Sequence, residues 1–228
     1  MKLFLTDFFD FFLPRFCPAC KTRLSSNENV ICNKCLSSIQ IAEKQRIKFE
    51  FNKKFEGNKL ISGFTSLYVF EKDKELQEIL HQFKYNNKYR IGIKLGEEIA
   101  KARNTTITDW KIDLVIPVPL HHLKKAERGY NQSYYISKGF SKVLGINKEE
   151  NLLKRKRYTE SQTLKNISDR ELNVKNAFSV TNKKKIKGKN ILVIDDVITT
   201  GATVSECARQ LLNAGAKKVY SISAAIAD

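Results

Sequence analysis

Prolines, acidic residues and long apolar runs are all scarce in this chain, and each shortage narrows what it can be. Only four of 228 residues are proline while 42% are hydrophobic, which argues against a mostly disordered chain and for a packed core. Beyond the N-terminal stretch, no apolar run approaches the length of a transmembrane span. Acidic side chains number 24 against 41 lysines and arginines, giving a formal net charge of +17 and a pI near 9.6. That balance favours polyanionic partners, nucleic acid first among them. A solvated lysine-rich surface produces the same totals, so charge supports this reading without deciding it. Internal repeats and low-complexity tracts are absent. A chain of this length accommodates one substantial α/β core, with roughly thirty to forty residues left for an accessory module.

The opening stretch MKLFLTDFFDFFLPRF is apolar, but Asp7 and Asp10 interrupt it and no small-residue cleavage site follows, so it is expected to stay on the chain. Phe4, Phe8, Phe11 and Phe12 recur at helical spacing and predict a short amphipathic helix docked on the protein rather than a membrane anchor. The expected location is the cytoplasm, or the inner membrane through a partner.

Four of the five cysteines fall in the first 35 residues, as Cys17-Pro-Ala-Cys20 and Cys32-Asn-Lys-Cys35. Each pair lets two thiolates reach one ion from a tight turn, and two such turns close a tetrahedral zinc site with bonds of about 2.3 Å. Disulfides are the alternative, disfavoured in a cytoplasmic setting. With four sulfur ligands no coordination position stays open, so this zinc would hold structure and do no chemistry. Cys207, far along the chain, is expected to be a buried small hydrophobe. Residues 41–59 are polar and basic, and are assigned to the rest of the zinc module and a linker. The expected division is therefore 1–59, comprising N-terminal helix, zinc ribbon and linker, and 60–228, a second domain.

From Leu60 onward strand and helix patterns alternate, which predicts a parallel sheet covered by helices. Strands are expected over 62–70, 112–116, 152–155, 178–180, 190–194 and 218–224. Helices are expected over 74–84, 89–103, 131–144 and 204–214, the last closed by Gly215. Residues 156–175 are polar, of mixed charge and without periodicity, and are expected to form a long mobile loop.

The segment ILVIDDVITTGAT, from Ile191 to Thr203, carries the strongest chemical signal. Its β-branched start suits a buried parallel strand, and ligands of open α/β sheets bind beyond the carboxyl ends of such strands. Asp195 and Asp196 stand at that edge. Thr199, Thr200, Gly201, Ala202 and Thr203 are small and mostly hydroxyl-bearing, so their backbone amides can curl around a phosphate where the next helix begins. Two adjacent carboxylates repel a second phosphate but accept hydrogen bonds from vicinal hydroxyls. A ribose bearing a 5-phosphate fits both halves. An Asp-Asp turn capping a helix explains the aspartates and threonines separately, but not their order after this strand. No Gly-Lys-Thr or Gly-Lys-Ser follows the glycine, which excludes a Walker loop.

Two basic stretches accompany it. IPVPLHHLKKAERGYNQS offers Lys124, Lys125 and Arg128, which can hold a pyrophosphate, and His121 and His122, which are bases, metal ligands or simply solvated. Tyr130 is a packing residue or a base-stacking one. KRKRYTESQTLKNISDRELNVKNAF brings Arg155, Arg157, Lys165 and Arg170 together with Thr159, Gln162 and Asn173. It reads as a solvated loop and helix cap, as a lid, or as a nucleic-acid contact.

Strand, two acidic residues and Thr-Thr-Gly-Ala-Thr resemble the signature with which type I phosphoribosyltransferases bind 5-phosphoribosyl-1-pyrophosphate (PRPP). The motif order along nearly the whole chain resembles the competence protein F (ComF) family: Cys17 to Cys35, Lys84-Tyr85, Pro117 to Leu120 with Arg128 to Gln132, Arg155 to Gln162, Arg170 to Val174, Ala177-Phe178 and Asp195 to Thr203. Tyr130 stands where phenylalanine is common and Lys124 near a position often arginine; neither departure touches the phosphate loop. The resemblance implies a type I phosphoribosyltransferase-like parallel sheet flanked by helices, with a small N-terminal zinc ribbon. It implies PRPP as ligand and magnesium with its pyrophosphate. Asp195 and Asp196 would act as the catalytic pair that holds the ribose hydroxyls, Thr199 to Thr203 would hold the 5-phosphate, and Arg128 would lie towards the pyrophosphate. The family is associated with uptake of transforming DNA, which makes single-stranded DNA and the competence uptake or helicase machinery the expected partners. Lys124, Lys125, Arg155, Arg157 and Arg170 are the expected nucleic-acid contacts, with Tyr85, Tyr130 or Tyr158 stacking on bases. Two other functions fit the same loop: a salvage phosphoribosyltransferase acting on a free base, and a PRPP-responsive regulator without turnover.

Overall fold

A computed structural model of the chain describes residues 14–72, 74–157 and 174–227. The helix expected around Phe4, Phe8, Phe11 and Phe12 lies outside the described residues. So do Tyr158, Thr159, Gln162, Lys165, Arg170 and Asn173, and with them most of the loop expected over 156–175.

Four strands, β1 (Gly63–Val69), β2 (Leu114–Pro117), β5 (Asn190–Ile198) and β6 (Lys218–Ile226), form an all-parallel sheet in the order β1-β6-β5-β2. Two short strands, β3 (Leu153–Arg155) and β4 (Phe178–Val180), pair antiparallel beside it. The central strands are buried on both faces, which is why Ile191 to Ile194 form an unbroken apolar run instead of alternating. Leu192, Ile194 and Ile222 belong to a core closed by α3 (Glu75–Tyr85), α4 (Arg90–Ala102) and α7 (Gln132–Leu144). Ile191, Val193 and Val219 belong to a second core, built on α8 (Ala202–Asn213) and the β3-β4 pair.

Helices α4 and α7 touch backbone to backbone. A Cβ at Gly96 would lie 2.0 Å from the Ile136 carbonyl oxygen, and one at Gly139 2.0 Å from that of Ile93, so only glycine permits this approach. The contact fixes α7, whose first turn faces the carboxyl ends of the strands.

Most expected elements appear with ends shifted by one to three residues, but β5 runs on to Ile198. Asp195 and Asp196 therefore lie within the strand and not beyond it, because the ladder with β6 continues through Asp195 opposite Ser223 and Val197 opposite Ala225. Four short helices carried too little apolar periodicity to be read: α1 (Asn33–Ser38), α2 (Lys44–Lys54), α5 (Asn104–Trp110) and α6 (His122–Arg128). Residues 41–59 pack closely on the sheet. Ala42 N–H donates to the Leu67 carbonyl and Val69 N–H to that of Gln40, both at 2.9 Å, which covers the edge of β1. Helix α2 follows, and Phe55 at its end is fully buried against Phe64. Among the described residues no helix is long and apolar enough to cross a membrane.

Candidate functional site

The carboxyl end of β5 gathers charge of both signs. Ser133 Oγ, in the first turn of α7, donates to Asp195 Oδ1 at 2.9 Å, and the Asp196 amide donates to the same oxygen at 2.9 Å. The Val197 amide donates to Asp196 Oδ1 at 2.8 Å, while Lys84 Nζ at the end of α3 lies 3.0 Å from Asp196 Oδ2. Burial, with the Asp196 charge beside it, pushes the Asp195 carboxyl up to about 7. Burial acts on Asp196 in the same sense, but the Lys84 ammonium, the Val197 amide and Arg128 together hold it below the usual carboxylate range. One carboxylate is thus firmly anionic and its neighbour sits at the threshold of protonation, the expected result of two like charges sharing one desolvated site.

Around this pair stand Lys84, Lys124, Arg128 and Arg155, brought from α3, α6 and β3. Burial, then the charges of Arg128 and Arg155, depress the Lys124 ammonium; Lys84 adds to the effect. Burial likewise lowers Arg155, whose guanidinium lies within electrostatic reach of Asp195. Arg128 Nη1 donates to Gln132 Oε1 at 3.1 Å and its guanidinium sits 5.8 Å from the Tyr85 ring, while its buried Nε has no hydrogen-bond partner among the described residues. Cations that repel one another while partly desolvated are the kind of group that an anion with several oxygens would stabilise.

The other sequence candidates divide. Lys125 and Arg155 line an open cavity of about 520 Å³, together with His122, Tyr134, Tyr135 and Lys154. Arg157 is exposed farther along, donating to the Lys175 carbonyl at 3.0 Å. Tyr130 is 6% exposed, its hydroxyl donating to the Phe83 carbonyl and its ring against Phe83. It is a packing residue, and the expectation that it stacks on a base is corrected. His121 is buried and its Nδ1 accepts from Leu123 N–H at the start of α6, whereas His122 is exposed. Cys207 is fully buried in the second core.

After the carboxylates, Thr199 to Thr203 lead from β5 into α8. Gly201 has φ +79° and takes the N-cap position of that twelve-residue helix, whose N-terminal amides and dipole favour an anion. The Ala202 amide lies 3.4 Å from Thr200 Oγ1. One strand end thus brings together a carboxylate pair, the start of a helix and a group of four cations. Sequence reasoning missed Lys84 and Ser133 as site residues. Lys84 sat in a quoted Lys-Tyr motif with no chemistry attached, and Ser133 is announced only by Asn131, whose Oδ1 accepts from the Ser133 amide at 3.1 Å to cap α7.

The four N-terminal cysteines converge. Their Sγ atoms all lie within 4.8 Å of one another, with Cys20 and Cys32 3.7 Å apart, against the edge of about 3.8 Å that a tetrahedron with 2.3 Å metal–sulfur bonds requires. The first turn is closed by Lys21 N–H to the Cys17 carbonyl at 3.0 Å and the second by Cys35 N–H to Cys32 Sγ at 3.4 Å. The residues fit a structural metal ion. Burial raises the Cys32 and Cys35 thiols, so a cation would release protons on binding. The cluster leans on α3: Cys17, Leu24 and Ile31 share a core with Leu76 and Ile79, and Lys21 Nζ lies 3.0 Å from Glu78 Oε1.

A parallel sheet with this loop after its central strand defines a phosphoribosyltransferase-like protein, and the family model for the phosphoribosyl transferase domain matches residues 130–227. The chain is 32% identical over 148 residues to Competence protein F of Haemophilus influenzae, covering 63% of this chain and 65% of that protein. Against DNA utilization protein YhgH of Escherichia coli K12 it is 32% identical over 148 residues, covering 63% and 64% respectively. The match thus spans just under two thirds of the length of those two relatives. Competence protein ComFC of Bacillus subtilis is 25% identical over 212 residues, covering 91% of this chain and 81% of its own. With the four-cysteine cluster in place at the N-terminus, the chain is a homologue of the competence proteins F and ComFC and of YhgH, and carries a phosphoribosyl transferase domain match.

Proposed function

We propose that this protein binds PRPP with magnesium, and single-stranded DNA on the adjoining basic surface, as a cytoplasmic accessory of DNA uptake in natural transformation. The observation that carries the reading is the gathering at the end of β5 of a helix N-terminus, a carboxylate pair and the cations Lys84, Lys124, Arg128 and Arg155. A 5-phosphate fits the amides of Thr199 to Thr203, the ribose diol fits Asp195 and Asp196, and a pyrophosphate fits the cations. Magnesium would offset charge between pyrophosphate and carboxylates. Zinc in the Cys17, Cys20, Cys32 and Cys35 cluster would be structural, and its thiolate ligands require a reducing compartment. Lys125, Lys154, Arg155 and Arg157 offer contacts to a phosphate backbone, and exposed Tyr85 a face for a base.

The test is titration with PRPP and magnesium, with and without single-stranded DNA, comparing wild type with the Asp195→Asn, Asp196→Asn double variant. The expected result is a loss of PRPP affinity of about 100-fold or more; unchanged affinity overturns the site. DNA affinity should fall steeply with salt, and an affinity indifferent to salt overturns the nucleic-acid half. A second reading, transfer of the phosphoribosyl group to a free base, draws on the same cations, which would neutralise a departing pyrophosphate. Its signature is release of pyrophosphate above background in a screen of bases.

A further inference from the structure

Residues 50–58, between the cysteine cluster and the sheet, touch the phosphate loop at Gly201 and its surroundings at two further points, Ala227 and Ser205. Lys54 Nζ, its side chain only 4% exposed, donates to the Ala227 carbonyl at 3.1 Å, and the Ala227 amide donates to the Ile198 carbonyl at 2.9 Å where β5 ends. The Phe55 ring lies directly beneath Gly201: a Cβ there would stand 2.7 Å from Phe55 Cε1. Asn58 Nδ2 donates to Ser205 Oγ at 3.0 Å, in the first turn of α8. The first two contacts are themselves fixed from behind. Lys54 pairs at 2.6 Å with Glu50, which is fully buried and lies 2.9 Å from Arg46. Phe55 is held between Phe51 and Phe64, with ring centroids 6.2 and 5.3 Å away.

A charged pair buried at the end of a surface helix is costly in stability, and apolar residues of similar size would pack there at least as well. The stability of α2 therefore does not explain it, whereas an ammonium that holds Ala227, just past β6, whose amide in turn bonds Ile198 where the loop begins, does. Backbone amides cradle a phosphate only when the loop's dihedral angles are held, and Gly201 at φ +79° is the position with the most freedom to lose them. We infer that Lys54, Phe55 and Asn58 are positioning residues for the phosphate loop, which makes the segment after the cysteine cluster part of the ligand site. This rests on the reading of Thr199 to Thr203 as the 5-phosphate cradle.

The experiment measures PRPP affinity with magnesium and melting temperature for the full chain and four variants. Phe55→Ala opens a cavity under Gly201 and should weaken binding about tenfold, while Asn58→Ala, at an exposed position, should weaken it roughly threefold with little change in melting. Phe55→Leu, which refills the space, should restore affinity to within about twofold of wild type. Ile107→Ala truncates a buried side chain of α5 in the opposite core, and should lower the melting temperature while affinity stays within about twofold. Equal losses of affinity in Ile107→Ala and Phe55→Ala, or wild-type affinity in both Phe55→Ala and Asn58→Ala, overturn the inference and leave the PRPP reading standing. Wild type that binds no PRPP overturns both.

Discussion

The cysteine cluster and the carboxylate site are both small sets of converging polar atoms, assembled by opposite means. The four sulfurs come from residues 17 to 35 and two tight turns, so the loops that must close are short and their entropic cost is small. The carboxylate site takes Lys84 from α3, Arg128 from α6, Ser133 from α7, Arg155 from β3 and the aspartates from β5. Nothing local brings these together. Sheet order does, by laying β2 beside β5 and packing α4 against α7 through Gly96 and Gly139. A locally built site can be broken only by its own ligands, whereas a site built from the whole fold answers to any change that shifts one of its contributors.

The largest effect should come from breaking the local site. Cys35→Ser should reduce bound metal from about one equivalent per chain to none and lower the melting temperature by about 10 °C or more, measured by elemental analysis and calorimetry. PRPP affinity should fall only about threefold in that variant, through the cluster's contact with α3; a loss as large as the aspartate double variant's would erase the distinction between the sites. Lys84→Met tests the dispersed site. It leaves Asp196 without its 3.0 Å partner and should weaken PRPP about thirtyfold by titration calorimetry, with metal content unchanged.

Next in size is a pH effect. The Asp195 carboxyl is raised to about 7, from about 3.9 in an unfolded chain, so between those values the native state holds a proton that the unfolded state has released. Its contribution is favourable at low pH, is lost as pH climbs through that window, and is level above it. The stability of wild type relative to Asp195→Asn should therefore fall from about pH 4 to about pH 7 in a melting series, and a difference that rises with pH would contradict the burial assigned to Asp195. The smallest effect is expected at two tyrosines. Tyr130→Phe should cost about 1 kcal/mol of stability and leave DNA affinity alone, whereas Tyr85→Ala should leave stability alone and weaken single-stranded DNA by about 1 kcal/mol or more.

The sheet was legible because its strands are buried on both faces and must be apolar without interruption, as Ile191 to Ile194 are. Helices α3, α4, α7 and α8 were legible because one face of each repeats apolar residues towards the core. Helix α2 was not: KQRIKFEFNKK buries Glu50 fully while leaving Phe49 59% exposed, so its pattern misleads about which face is inward. Tyr130 misled for a related reason, since an aromatic side chain beside basic residues reads the same whether it packs or stacks.

By itself, the sequence determined what needs only neighbours along the chain: the cysteine turns, the strand run, and the order of aspartates, threonines and glycine around Gly201. Short-range geometry suffices for these, because a turn or a helix start fixes its own atoms. The tertiary structure alone decided that Lys84 pairs with Asp196, that Ser133 reaches Asp195, that Tyr130 is buried and that Phe55 lies beneath Gly201. Each of these joins residues far apart in the chain, and the free energy that holds them comes from burial across the whole core, which no local pattern encodes.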